Sequence, residues 1–126
     1  MSCYTKIELE FTINASPKVL YYRLSTPGGL SEWFADDVNL IGSIFTFIWD
    51  GNEQKAELLS KKEGKSIRFR WLEDDEEAYF EFRISQDDLT GDVALVITDC
   101  IDQDETEDQT ELWQKQVDVL KRNLGS

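Results

Sequence analysis

The chain of 126 residues contains no histidine. That removes the commonest general base, a common metal ligand and the usual partner of a serine or cysteine nucleophile. Only two cysteines are present, Cys3 and Cys100, and neither lies in a CxxC pair. They read as free thiols, with a bridge between them as the minor alternative. Long apolar runs are missing too: "MSCYTKIELEF" has no apolar run long enough for a signal peptide or a membrane span, and neither is expected. A cytoplasmic address is the expectation. Basic residues are scarce: 13 against 26 acidic ones, a net charge of −13. Such a chain repels polyanions, so nucleic acid and anionic membranes are excluded as expected partners. No GxSxG and no phosphate-binding glycine loop occurs.

What is present supports a folded core. Apolar residues make up 40% and aromatics 12%, and the length is that of one ordinary domain. Thr5 to Ile13 alternates apolar and polar, the pattern of a strand covered on one side. "NASPKVLYYRL" changes to helical spacing, with Ser16 as cap, Pro17 in the first position, and Val19, Leu20, Arg23 and Leu24 in register. "TPGG" is expected to end that helix, its glycines free to take positive φ. "GLSEWFA" is expected to form a second short helix carrying Leu30, Trp33 and Phe34.

Extended runs follow: "VNLIG", "SIFTFIW", "QKAELLSKK", "SIRFRW", "YFEFRIS" and "VALVITD". Short turns separate them, "DGN" at Asp50–Asn52 and "EGK" at Glu63–Lys65 among them, so the sheet is expected to be antiparallel. From about Asp104 to Asn123 the spacing predicts one long helix, with an apolar stripe of Leu112, Trp113, Gln116, Val117, Leu120 and Leu124. "DQDETED" (Asp102 to Asp108) is acidic like a calcium loop. It lacks the central glycine, however, and fits a helix start, where the dipole favours negative charge. "EDDEE" (Glu73 to Glu77) reads as a solvated loop. The class is α+β: one strand, two short helices, about six further strands and a terminal helix. A meander of that length curls, and only the last helix can cover its apolar face.

The ordered set of motifs resembles the START-like, helix-grip superfamily (SRPBCC). Within it, the set is similar to the branch named after the activator of the heat-shock protein 90 ATPase. Ala15, Ser16, Pro17, Val19, Leu24, Pro27, Leu30, Trp33 and Phe34 match the opening pattern. "GSIFTFIWDG", "GKSIRFRW" and the closing "LWQKQVDVLKRNL" match later segments. Tyr21 or Tyr22 stands where Trp or Phe is usual, and the polar cavity residues of polyketide cyclases are not found. The resemblance implies one domain over residues 1–126: a curved antiparallel sheet of about seven strands gripping the last helix, with an apolar cavity between them.

On that geometry Phe47 (or Phe45), Trp49, Phe69, Trp71, Phe80 and Phe82 face inward, opposed by Trp113 and Val117, with Trp33 and Phe34 at the mouth. Those rings either line a hollow or fill it. Asp36, Asp37, Glu57 and Asp99 are the carboxylates nearest such a cavity by strand-end position. No catalytic set, metal or cofactor is expected. The first functional expectation is a non-enzymatic binder of a small apolar molecule. The second is an acidic interaction module for a basic partner such as a chaperone, and the third is a cyclase-like enzyme. The oligomeric state stays open.

Overall fold

The alternation at the start of the chain builds β1 (Tyr4–Ile13), and the change of period after it builds α1 (Pro17–Ser25) and α2 (Pro27–Leu30). Six strands follow: β2 (Asp37–Ile41), β3 (Ile44–Trp49), β4 (Asn52–Lys62), β5 (Ser66–Trp71), β6 (Phe80–Gln86) and β7 (Val93–Asp102). A 3₁₀ turn at Gln103–Glu105 leads into α3 (Thr106–Asn123). This computed structural model describes residues 4–73 and 78–125; Cys3 and most of the Glu73–Glu77 run lie outside the described residues.

The seven strands form one sheet, ordered β1-β7-β6-β5-β4-β3-β2, and every neighbouring pair is antiparallel. The fold is the α+β helix-grip arrangement. β1 closes onto β7, with Ile7 opposite Asp99 and Lys6 opposite Cys100. Asp50–Gly51 joins β3 to β4 as a two-residue turn with both φ positive, +49° and +81°, the geometry that matches strand twist. The imperfect alternation of "QKAELLSKK" has a structural cause: the β4–β5 register shifts between Leu58 and Ser60, a bulge that leaves Leu59 exposed. At the β6–β7 turn the Asp87 carboxylate accepts the N–H groups of Leu89 (2.7 Å) and Thr90 (3.0 Å). These bonds hold its pKa below the ordinary range.

Phe45, Phe47, Ile67, Phe69, Phe80, Phe82, Leu95 and Ile97 fill the concave face of the sheet, and Trp113, Val117 and Leu120 of α3 pack over it. The convex face carries ion pairs, Arg68 with Glu81 (3.0 Å) and Arg70 with Glu57 (3.2 Å), and Arg68 stacks 4.1 Å above the Tyr79 ring.

Four local expectations are corrected. On α1, Tyr21 is buried and Val19 is exposed, so the inward face is Leu20, Tyr21 and Leu24. The Tyr21 hydroxyl donates to the Ser66 carbonyl (3.0 Å), and burial, with the Glu63 charge adding to it, pushes its pKa up to about 12. Leu112 is half-exposed and falls outside the buried stripe of α3. α2 covers Pro27–Leu30, so Trp33 and Phe34 lie in the turn that follows it, where the Phe34 N–H reaches back to Leu30 O at 2.9 Å. Finally, neither Gly28 nor Gly29 has positive φ. Gly29 is there for close approach: a methyl group on it would stand 2.7 Å from Arg23 Cα and closer still to the Tyr22 carbonyl oxygen. The corner itself is made by Thr26, whose hydroxyl donates to Tyr22 O (2.8 Å) and accepts the Gly29 N–H (2.9 Å).

Candidate functional site

The tight α1–α2 corner delivers Trp33 and Phe34 to the open end of the grip. Trp33 is held by its indole N–H donating to Arg23 O (2.8 Å). Arg23 in turn pairs with Glu32 (2.7 Å) and donates to Asn123 at the end of α3 (2.8 Å). Phe34 is the hub of the aromatic core. Its ring meets Trp33, Phe47, Trp49, Phe80, Phe82 and Trp113 at centroid distances of 5.0 to 5.8 Å. Its carbonyl accepts the Trp49 indole N–H (2.7 Å) and the Gln116 amide (3.0 Å). One short loop thus ties β3 and α3 together.

Around this hub opens a cleft of about 890 Å³, bounded by the loop after α2, the ends of β3, β5 and β7, and one side of α3. All four tryptophans of the chain line it: Trp33, Trp49, Trp71 and Trp113. Trp33 and Trp113 are nearly buried, whereas Trp49 and Trp71 are half-buried, 6.1 Å apart and tilted by 58°. The Trp113 indole donates to Oδ2 of Asp99 (2.9 Å), a residue only 8% exposed. No buried side-chain polar atom among the described residues lacks a partner.

Five of the ten residues expected at the cavity line the cleft: Trp33, Phe34, Trp49, Trp71 and Trp113. The other five, Phe47, Phe69, Phe80, Phe82 and Val117, are fully buried behind that wall. Both alternatives for the rings are therefore realised, in different layers. Those deep in the curved sheet fill the space, and those at the open end border it. Of the four strand-end carboxylates, Asp36 and Asp99 reach the cleft. Asp37 instead accepts its neighbour Val38's N–H (2.9 Å), and Glu57 pairs with Arg70 on the convex face.

The polar part of the lining was not anticipated at Glu32, Gln54, Asp102, Glu105 and Gln109, whereas Gln116 stood in the expected stripe of the last helix. A signal existed. Glu105, Gln109, Leu112, Gln116 and Val119 recur at helical spacing, a second stripe beside Trp113–Val117–Leu120, and that stripe borders the cleft. No group of three or more His, Cys, Asp or Glu among the described residues is arranged to hold a metal ion. Nor is any described helix long and apolar enough to cross a membrane.

A family model described as the START-like superfamily domain matches residues 1–126. The chain belongs to the START-like superfamily. Its START-like fold recurs in solved structures. The solution structure of BfR322 from Bacteroides fragilis is 39% identical, with 96% of this chain and 91% of that one covered and a TM-score of 0.68. The Aha1 dimer from Colwellia psychrerythraea is 19% identical over 93% of each chain, TM-score 0.78, a likeness of fold. CalU16 from Micromonospora echinospora is 15% identical over 96% of this chain and 74% of that one, TM-score 0.74. No curated protein matches.

Proposed function

We propose that this START-like domain is a non-enzymatic binder of a small, largely apolar molecule, held in the cleft between the sheet end, the Trp33–Phe34 loop and α3. The observation that carries the reading is the tryptophan-lined cleft of about 890 Å³, a size within the range of small-molecule sites. Its walls offer large aromatic area, and indole surfaces gain most from leaving water. The chain has no histidine, and its one described cysteine, Cys100, has no histidine to activate it. That weighs against the cyclase-like reading.

Native mass spectrometry of the purified protein, followed by a thermal-shift screen with lipids and small aromatics, tests the proposal. A binder raises Tm in proportion to the logarithm of ligand over Kd. Co-purifying mass or a saturable Tm rise is the expected outcome; a screen with neither would remove the reading.

The second reading is an interaction module for a basic partner such as a chaperone ATPase. It is favoured by the net charge of −13 and by the Aha1 likeness. Salt-sensitive capture of a purified chaperone ATPase would support it. Capture no better than by an unrelated acidic protein would dismiss it.

A further inference from the structure

The cleft has a sign as well as a shape. Its described lining contains five acidic residues, Glu32, Asp36, Asp99, Asp102 and Glu105, and no lysine or arginine. Glu32 is already matched by Arg23 at 2.7 Å. Asp36, Asp102 and Glu105 are exposed at the rim with no basic side chain paired to them in any salt bridge among the described residues. The arginines of the sheet are committed elsewhere: Arg68, Arg70 and Arg83 form ion pairs on the convex face, with Glu81, Glu57 and Glu8. The basic side chains that pair on the sheet thus do so away from the cleft, and its rim carboxylates keep their charge. The same cleft is lined by the half-buried Trp49 and Trp71. An indole face attracts a cation through its quadrupole, most strongly among the aromatic side chains. A carboxylate rim over tryptophan walls is suited to an ammonium group and opposed to a carboxylate, sulfate or phosphate.

We infer that the occupant is a small organic cation with an apolar body, an amine or quaternary ammonium compound, rather than a fatty acid or other anionic lipid. The inference rests on the ligand-binding reading above and narrows it to a chemical class. The apolar body packs on the tryptophans, and the cationic end faces Asp36, Asp102 and Glu105.

The test uses three probes of equal chain length, kept below their critical micelle concentrations: decyltrimethylammonium, decanol and decanoate. Each is titrated into the whole protein while tryptophan fluorescence is read. The expected order is cation, then alcohol, then anion, with the cation bound at least about tenfold more tightly than the anion at 50 mM salt. That ratio shrinks toward one at 500 mM salt, as screening shortens the reach of the rim charges. The triple variant Asp36→Asn, Asp102→Asn, Glu105→Gln abolishes the preference and leaves decanol binding unchanged. A control triple of exposed residues outside the lining, Glu10→Gln, Glu53→Gln, Asp118→Asn, removes equal charge and keeps the preference.

Equal or tighter binding of decanoate would overturn the inference and leave the apolar-ligand reading standing. Loss of the preference in the control triple would overturn it too, by assigning the effect to overall charge. Failure of all three probes to bind would remove both.

Discussion

Replacing Gly29 by alanine sets a local rule against a packing constraint, and the two predict opposite signs. Gly29 is in a helix, where alanine is normally favoured by about 1 kcal/mol. The new methyl group, however, would stand 2.7 Å from Arg23 Cα and 2.8 Å from Thr26 Oγ1, and nearer still to the Tyr22 carbonyl oxygen. Backbone atoms cannot rotate away as a side-chain end can. Ordinary contact begins near 3.4 Å, so α2 must retreat from α1 by about 0.7 Å on the Arg23 side alone, and by more on the Tyr22 side.

That movement breaks the Thr26 cap on Gly29 N–H and pulls Trp33 off Arg23 O. Overpacking costs about 1–3 kcal/mol or more, and the lost cap about 1 kcal/mol. A net loss of about 3 kcal/mol is the expected outcome. With a urea slope of roughly 1.5–2 kcal/mol per M, the midpoint falls by about 1.5–2 M. Gly28→Ala is the built-in control: its methyl would meet only the Tyr22 hydroxyl, at 3.1 Å, on a half-exposed side chain free to move. It should shift the midpoint little or raise it. A Gly29→Ala midpoint within experimental error of the parent, or equal damage from both alanines, would refute the reasoning.

Phe34→Ala empties the aromatic hub and should cost about 3–5 kcal/mol in chemical denaturation, whereas Phe34→Leu should cost clearly less. Trp113→Phe keeps a ring but withdraws a hydrogen bond from the buried Asp99 carboxyl, an expected loss of about 1–3 kcal/mol by the same assay. The pKa of Tyr21 is raised from 10.0 to about 12, so the unfolded chain releases that proton first as pH rises. Its contribution is complete below pH 10 and is lost between about pH 10 and 12. Urea midpoints measured across that window should fall more steeply for the parent than for Tyr21→Phe, and parallel curves would count against the buried hydroxyl.

Much of the fold was legible because its signals are local. The alternation in β1 and β5, the Asp50–Gly51 turn and the Ser16–Pro17 helix start each declare themselves within a few residues. The START-like order of elements carried the curved antiparallel sheet and its terminal helix. What was hidden depends on contacts distant in sequence or on the third dimension. Gly29 looked like a turn residue because a close approach between two backbones leaves no pattern in the chain. Trp33 and Phe34 have helical spacing to Leu30, yet α2 ends at Leu30 and a turn delivers them. The inner face of the sheet was readable, but its depth was not. Phe69 and Phe80 stack at 4.9 Å in the filled interior, while Trp71, two residues along from Phe69, reaches the open end. Of the carboxylate rim, Asp36 was anticipated from its strand-end position, but Asp102 and Glu105 escaped notice because charged residues at a helix start read as solvated surface until the fold gathers them round one opening.

The central claim is that the tryptophan cleft receives a ligand, and the indole N–H signals report on it directly, because all four tryptophans of the chain line it. In a 1H–15N titration of the labelled protein with decyltrimethylammonium or decanol, the indole signals of Trp49 and Trp71 should shift saturably, with smaller shifts at Trp33 and Trp113. Backbone amides of Leu40 and Ile41 on the exposed part of β2 should stay in place. Indole signals that do not move up to the solubility limit of both probes, or shifts centred on β2 instead, would contradict the account.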